Sequence, residues 1–315
     1  MNLVSWNARG LGNPSAFRFL RLLISEQAPC VLFLMETKLQ AGSINKFRNS
    51  LHFPNGIEVP RTGLGGGLML ILKSKADVVI NNFSPNHIDC FIEYQDLSSF
   101  HFTGFYGHPN SSQRVLTWTL LRRCYDIAPT HPWLVLGDFN EILTHEDKVG
   151  GPPRNNGQIQ AFQTTIDYCH LAAAAYEGEL ITWTNKSQGL GNVKERLDYG
   201  FFNDFWSESS EKPIIQHLNF YHSNHRALKL MVSMAGVQQI EPSYKSQFRF
   251  EKIWLNNQDC LDIIFKNWVS NTLNAISQTM SNLQSCATHL QSWHHHKYGN
   301  MKQDIKEAHK HVEGL

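Results

Sequence analysis

Residues 133–140, Trp-Leu-Val-Leu-Gly-Asp-Phe-Asn, constrain this chain more than any other stretch. Trp133 to Leu136 is an unbroken apolar run after His131-Pro132, which suits a strand buried on both faces. Gly137 ends the run. Asp138 and Asn140 then project from the strand's C-terminal edge, on one side if the extended geometry persists. In α/β sheets that edge is where ligands bind. A carboxylate and an amide two residues apart can together orient a water or a phosphate oxygen. The local alternative is an Asx turn, which the tetrapeptide Gly137-Asp138-Phe139-Asn140 favours when taken by itself.

The frame around that stretch is wide. A chain of 315 residues can form one large α/β domain with an appendage, or two domains. Hydrophobic content of 42% and aromatic content of 11% permit a full core. With a net charge of +1, any nucleic-acid surface must be local rather than an overall basic field. The 16 histidines are scattered. Six cysteines are widely spaced with no C-x-x-C pair, which argues against zinc and disulfide frameworks and for a reducing compartment. No apolar run approaches the ~20 residues of a membrane span, and the N-terminus enters a strand pattern at once, without room for a signal peptide. The expectation is a soluble intracellular protein.

Along the chain, residues 2–7 read as a strand, and Asn13-Pro14 as an N-cap with proline at the first helical position. Phe17, Leu20, Leu23 and Ile24 give that helix one apolar face, and residues 30–35 form a second buried run, a βαβ-like signal. Gly65-Gly66-Gly67 lacks a following Lys-Ser or Lys-Thr, so it reads as a close backbone crossing before an apolar strand, not a phosphate loop. Further strands are expected at 78–83, 87–94 and 100–106, and helices at 113–127 and 158–170. Short strands follow near 181–183, 197–202, 214–218 and 227–231. Strands with helices between them suggest sheets covered by helices.

Composition shifts near Ala235. From Cys260 onward apolar residues recur three, four or eight apart, which predicts one long amphipathic helix or two with a break, and residues 302–312 continue the helical character. A boundary at about residue 236 is expected, with a helical extension whose apolar stripe needs a partner.

Polar residues close or follow the apolar runs: Asn7, Glu36, Tyr106, Asp138 and Asn140, then Arg196-Leu197-Asp198 and Ser223-Asn224-His225. Singly, each has a plain structural reading. Glu36 would be a solvated carboxylate, Tyr106 a strand-end aromatic, Asp198 a partner of Arg196 and His225 a surface histidine. Repeated at strand ends, the set supplies oxygen ligands for a hard cation, a carboxylate base, and a histidine with a candidate orienting aspartate. Metal-assisted phosphoester hydrolysis needs those parts.

In order, Ser5-Trp6-Asn7, Met35-Glu36-Thr37, Phe105-Tyr106-Gly107, Gly137-Asp138-Phe139-Asn140, Arg196-Leu197-Asp198 and Ser223-Asn224-His225 resemble the endonuclease/exonuclease/phosphatase (DNase I-like) superfamily over residues 1 to about 232. The runs at 5–12, 137–143 and 192–198 look closer still to plant LINE-type (non-LTR) retrotransposon endonucleases. Downstream, Phe248-Arg249-Phe250-Glu251, Trp254-Leu255, Trp293 and Tyr298-Gly299-Asn300 resemble the segment joining that endonuclease to a reverse transcriptase. The resemblance implies a four-layered α/β sandwich, two packed sheets flanked by helices. It implies Mg²⁺ (or Mn²⁺) held by Glu36, with Asn7 supporting the metal or the phosphate. Asp138 would deprotonate the attacking water, and Asn140 would orient Asp138 and contact the phosphate. Tyr106 would donate to the phosphate, and Asp198 would orient His225 against its oxygen. Thr182, Trp183 and Arg196 would lie along the DNA. The implied product is a nick with a free 3′-hydroxyl, and the implied location is the nucleus.

The chain departs from the pattern where the family writes Ser-Asp-His and this sequence has Ser223-Asn224-His225. No polymerase motif like Tyr-Ala-Asp-Asp occurs before Leu315, so an endonuclease module with a truncated linker is expected. His294-His295-His296 on one helix would point in different directions and suit a solvated surface, not a metal cluster. Two other outcomes compete with the nuclease: a phosphatase or deadenylase of the same superfamily, and a DNA-binding remnant disabled by Asn224.

Overall fold

Alternating burial along the strands builds the layers. In the computed structural model, which describes residues 1–74, 76–94, 97–209, 212–232, 250, 252–268 and 275–298, two large sheets pack face to face. The seven-stranded sheet runs Ala175–Glu177, Ile214–His217, Leu228–Met231, Asn2–Asn7, Val31–Met35, Leu68–Leu72, Asn55–Val59. The six-stranded sheet runs Leu171–Ala173, Asp198–Asn203, Trp133–Asp138, Leu97–Tyr106, His87–Tyr94, Ala76–Ser84. A small third sheet joins Trp183–Thr184, Lys194–Glu195 and Lys148–Val149.

Period-two alternation sends Leu3, Val31, Phe33 and Leu70 of the first sheet against Phe102, Leu134 and Leu136 of the second, forming the central core. The other face of the first sheet, with Val4, Trp6, Leu32, Leu34 and Ile71, packs on Leu20 and Leu23 of helix Pro14–Gln27 and Leu51 of helix Ile44–Leu51. Trp133, Val135, Phe105 and Phe201 cover the second sheet's outer face against Trp118 and Leu121 of helix Arg114–Ile127 and Phe162 and Ile166 of helix Asn156–Tyr168. The result is helix, sheet, sheet, helix. The Trp133–Asp138 strand is buried at every position, as its unbroken apolar run requires.

Asn13 caps the first helix through its side-chain oxygen, which accepts from the Ser15 amide at 2.8 Å, with Pro14 opening the helix. That helix links Asn2–Asn7 to the parallel strand Val31–Met35, the βαβ unit anticipated from sequence. The glycine run approaches the backbone after Glu36: Thr37 and Lys38 donate to the carbonyls of Gly67 and Gly66 at 3.0 Å each, and a Cβ on Gly67 would stand 2.6 Å from Thr37 Oγ1. Helix Ile44–Leu51, strand Asn55–Val59 and several two- and three-residue strands are not among the elements expected from sequence; the helix does place Ile44, Phe47 and Leu51 on one face, but over barely two turns.

The chain divides into two compact units, Met1–Gln238 and Gln239–Leu315. The expected boundary near residue 236 lies outside the described residues, as do Phe248, Arg249, Gly299, Asn300 and residues 302–312. In the second unit, helices Gln258–Asn267 and Ala275–Tyr298 enclose Cys260, Cys286 and Leu290, with Trp254 and Trp293 against them. Among the described residues no helix is long and apolar enough to cross a membrane.

Candidate active site

Strand register gathers the polar residues at one edge of the paired sheets. Asn7 lies beside Met35 in the parallel pair, which puts Glu36 next to it. Tyr106 pairs with Asp138 in parallel, and Asp138 pairs with Asp198 across the antiparallel neighbour. Ser5 pairs with Leu228, so the segment just before that strand carries His225 back to Asn7. Two bonds fix it there: Ser223 Oγ donates to the Asn7 carbonyl at 2.6 Å, and Trp6 Nε1 donates to the His225 carbonyl at 3.3 Å.

Asp138 is fully buried and has a partner on each side. Its Oδ2 accepts from Asn7 Nδ2 at 2.9 Å, and its Oδ1 accepts from the Asn140 amide at 2.9 Å. Asn140 adopts a left-handed backbone (φ 55°) and its side chain donates to the Gly107 carbonyl at 2.8 Å. The Asx turn expected of this tetrapeptide forms, and it holds Asp138 and Asn140 together at the strand end. Gly137 is needed because a Cβ there would stand 1.9 Å from the Phe105 carbonyl oxygen. His225 sits between two carboxylates, its Nδ1 3.0 Å from Asp198 Oδ2 and its Nε2 3.7 Å from Asp138 Oδ2. Glu36 accepts from the Tyr106 hydroxyl at 2.9 Å and from Asn7 Nδ2 at 3.4 Å. Asn7 thus turns its amide nitrogen to both carboxylates, while its oxygen accepts from the Arg9 amide at 3.2 Å.

Electrostatics follow from that packing. Burial would strip the proton from His225, but the Asp198 and Asp138 carboxylates outweigh it and hold the imidazole's pKa above its ordinary value. Burial pushes Asp138 up, His225 pulls it down, and Asp198 pushes it up again; the net shift is upward. The two carboxylates thus favour a charged imidazole between them. Burial also works against ionised Glu36, yet the Tyr106 hydroxyl and the Arg9 guanidinium leave its pKa lowered. Tyr106, buried beside Glu36 and Asp138, is shifted far upward and stays a hydrogen-bond donor.

The residues expected along DNA differ in exposure. Thr182 has no exposed surface, and its hydroxyl accepts from the Leu197 and Asp198 amides at 3.0 and 3.1 Å. A side chain without surface does not meet a duplex, so Thr182 positions Asp198 instead. Trp183 is half-buried, with its ring 6.4 Å from that of His225. Arg196 is half-buried too, its guanidinium 4.3 and 4.7 Å from the Tyr176 and Tyr199 ring centres. Asn224 is half-buried and its carbonyl accepts from the Thr184 amide at 3.1 Å. Two cations next to Glu36 were not singled out from sequence. Exposed Arg9 acts on it through space, and Lys38 Nζ stands 3.6 Å from Oε2. Both have left-handed backbones, at φ 50° and 54°, for which an arginine or lysine gives no local signal.

The model of the endonuclease/exonuclease/phosphatase family matches residues 4–225. The chain belongs to that family. No curated protein matches the sequence. Among solved structures, the endonuclease domain of TRAS1, a telomere-specific non-LTR retrotransposon, is 12% identical, with a TM-score of 0.55 over 74% of this chain and 99% of that one. A 3′ phosphatase, NExo, from Neisseria, bound to product DNA hairpin, is 14% identical, with a TM-score of 0.56 over 74% and 99%. The AP endonuclease LMAP from Leishmania major is 16% identical, with a TM-score of 0.56 over 73% and 86%. At these identities the likeness concerns the fold, and it agrees with the four layers described above.

The donor set of this family member fits a hard divalent cation. Glu36, Asp138 and Asp198 bring three carboxylates to one strand-end site against a single imidazole in contact with two of them. Asp138, Asp198 and His225 each bring a ligand atom within 4.8 Å of the others. All three are at most 2% exposed, however, and both imidazole nitrogens face carboxylates. Glu36, with 14% of its side chain exposed, is open to an ion that keeps several of its waters.

Proposed function

We propose that this chain is a divalent-metal-dependent endonuclease that nicks DNA and leaves a 3′-hydroxyl, of the type carried by non-LTR retrotransposons. The observation that carries the reading is His225 lodged between Asp198 and Asp138 beside the Tyr106–Glu36 bond. The endonuclease, rather than another activity of the family, rests on the sequence runs at 5–12, 137–143 and 192–198. The fold shared with the TRAS1 endonuclease domain agrees with it.

In this mechanism Asp138 takes the proton of the attacking water, held in place by the Asn7 side chain and the Asn140 amide. Asp198 fixes His225 so that Nε2, at the Asp138 side, presents its proton to a phosphate oxygen as charge develops there. The Tyr106 hydroxyl leaves Glu36 to donate to the same phosphate. Magnesium or manganese held by Glu36, with Asn7 keeping that carboxylate in place, would offset the negative charge building on the phosphate and the leaving group. Thr182 keeps the Asp198 backbone in register, and on this reading Trp183, whose ring stands 6.4 Å from that of His225, and Arg196 would lie along the DNA strand.

The test is supercoiled plasmid with Mg²⁺, run beside Asp138→Ala and Glu36→Gln. The parent should give nicked circles that a polymerase extends without prior phosphatase treatment, and both variants should lose at least a hundredfold in rate. Phosphate release from small phosphomonoesters, with plasmid left intact, would move the assignment to the family's phosphatases. Plasmid that is bound but never cut would leave a binding module.

A further inference from the structure

Lys38 is held against Glu36 by backbone geometry. Its amide donates to the Gly66 carbonyl at 3.0 Å and the preceding Thr37 amide to the Gly67 carbonyl, which clamps the segment to the glycine loop. Left-handed backbones at Glu36 (φ 47°) and Lys38 (φ 54°) turn the two side chains toward one another, leaving Nζ 3.6 Å from Oε2. The aliphatic stem crosses the turn after Asn7, with Lys38 Cδ 3.5 Å from where a Cβ of Gly10 would be. Glu36's other oxygen accepts from Tyr106 and Asn7. Each oxygen of the most accessible carboxylate in the site thus already has a donor or a cation beside it.

We propose that Lys38 is the resident counter-ion of Glu36, displaced by the divalent cation, and that once released it binds a backbone phosphate, so that metal binding tightens DNA binding. The DNA half rests on the function proposed above. A cation entering at Glu36 meets the ammonium charge at its own ligand and must drive it off. The ion pair yields because 35% of the Lys38 side chain is exposed. The clamp to Gly66 and Gly67 keeps the freed ammonium at the rim of the site rather than letting it leave. A long, flexible stem with a compact charge suits a phosphate contact. Exchange of partners makes the coupling reciprocal: whatever factor the metal adds to DNA affinity, DNA adds to metal affinity.

The experiment uses the full chain. Mn²⁺ binding to the free protein is read from the free-ion paramagnetic resonance signal for the parent, Lys38→Gln and Lys38→Arg. Affinity for a duplex oligonucleotide is read by fluorescence polarisation at fixed ionic strength, with and without Mg²⁺, in an Asp138→Asn background that does not cut. Lys38→Gln should bind Mn²⁺ at least threefold tighter than the parent, and Lys38→Arg within twofold of it. Mg²⁺ should tighten duplex binding at least fivefold in the parent background and less than twofold with Lys38→Gln added. Parental Mn²⁺ affinity in Lys38→Gln, or equal Mg²⁺ enhancement with and without Lys38, overturns the inference. Absence of duplex binding under every condition overturns the functional reading and the coupling together, and the Mn²⁺ titration then decides the counter-ion role separately.

Discussion

Asn7 Nδ2 donates to Asp138 Oδ2 at 2.9 Å, joining the end of one sheet to the end of the other. The same nitrogen lies 3.4 Å from Glu36 Oε1, so one neutral amide keeps two carboxylates apart and in place. Hydrogen bonds to a carboxylate favour its charged form, and this one works against the burial that raises Asp138.

Replacing Asn7 by Asp would put a third anion within hydrogen-bond distance of Asp138, where like charges drive one another's pKa up. Nicking should fall by about 10²- to 10⁴-fold, the range for losing one acid–base group. Asn7→Ala, which removes the donor without adding charge, should fall less steeply on the acid side of its pH–rate profile. Single-turnover rates across pH read both. Equal profiles for the two variants would show that charge at this position is immaterial.

Asp198→Asn removes the anion that anchors His225 Nδ1 at 3.0 Å. In the parent, burial lowers the His225 pKa, while Asp198 and Asp138 raise it further than burial depresses it. With Asp198 neutral, the imidazolium should lose its proton at lower pH. The alkaline limb of kcat/KM should therefore move toward acid, with the acid limb nearly fixed. A uniform loss of rate with both limbs in place would mean that Asp198 serves only to hold the ring.

Much of this architecture was legible because burial leaves a pattern. The run from Trp133 to Leu136 reads as two-faced burial, and both faces are packed. The strand-end residues were legible as a set because parallel and antiparallel register brings Asn7, Glu36, Tyr106, Asp138 and Asp198 to one edge. The support that Thr182 gives the Asp198 backbone is not legible in sequence, since a threonine bonded to a neighbouring backbone and one facing a ligand look alike there. Lys38 and Arg9 escaped notice because their relation to Glu36 depends on left-handed backbone at three residues, none of them glycine. Helix Ile44–Leu51 has the i, i+3, i+7 apolar spacing of Ile44, Phe47 and Leu51 but only eight residues to show it in, and strand Asn55–Val59 buries only Val59.

Asn224 stands between two anchored residues, Ser223 on the Asn7 carbonyl and His225 on Asp198. It is itself half-buried, so Asn224→Asp should fold normally, with a melting temperature within a few degrees of the parent. A new carboxylate next to His225 adds stabilisation of the imidazolium and a further oxygen for a cation. Nicking should rise several-fold and reach half its maximum at lower Mg²⁺. Rate and Mg²⁺ titration identical to the parent would remove this position from the catalytic centre.

Away from the site, His87 sets part of the acid response of the fold. It is 2% exposed, with Nδ1 2.8 Å from Ser84 Oγ and Nε2 bonded to the Asn82 side-chain oxygen. Burial drives its pKa from 6.5 down to about 4, against a smaller upward pull from Asp89. The unfolded chain therefore takes up this proton before the folded one does, and stability rises with pH through the window between those values. The contribution is fully present above pH 6.5 and is lost as pH falls toward 4. At about 1.4 kcal/mol for each tenfold difference in proton affinity, the loss across the window is on the order of 3 kcal/mol. His87→Gln keeps a polar side chain there without a titrating group, and should weaken the acid dependence by that amount whatever its stability at neutral pH. Urea unfolding of parent and variant at half-unit steps from pH 4 to 7 measures the difference, and parallel stability curves would sink the assignment.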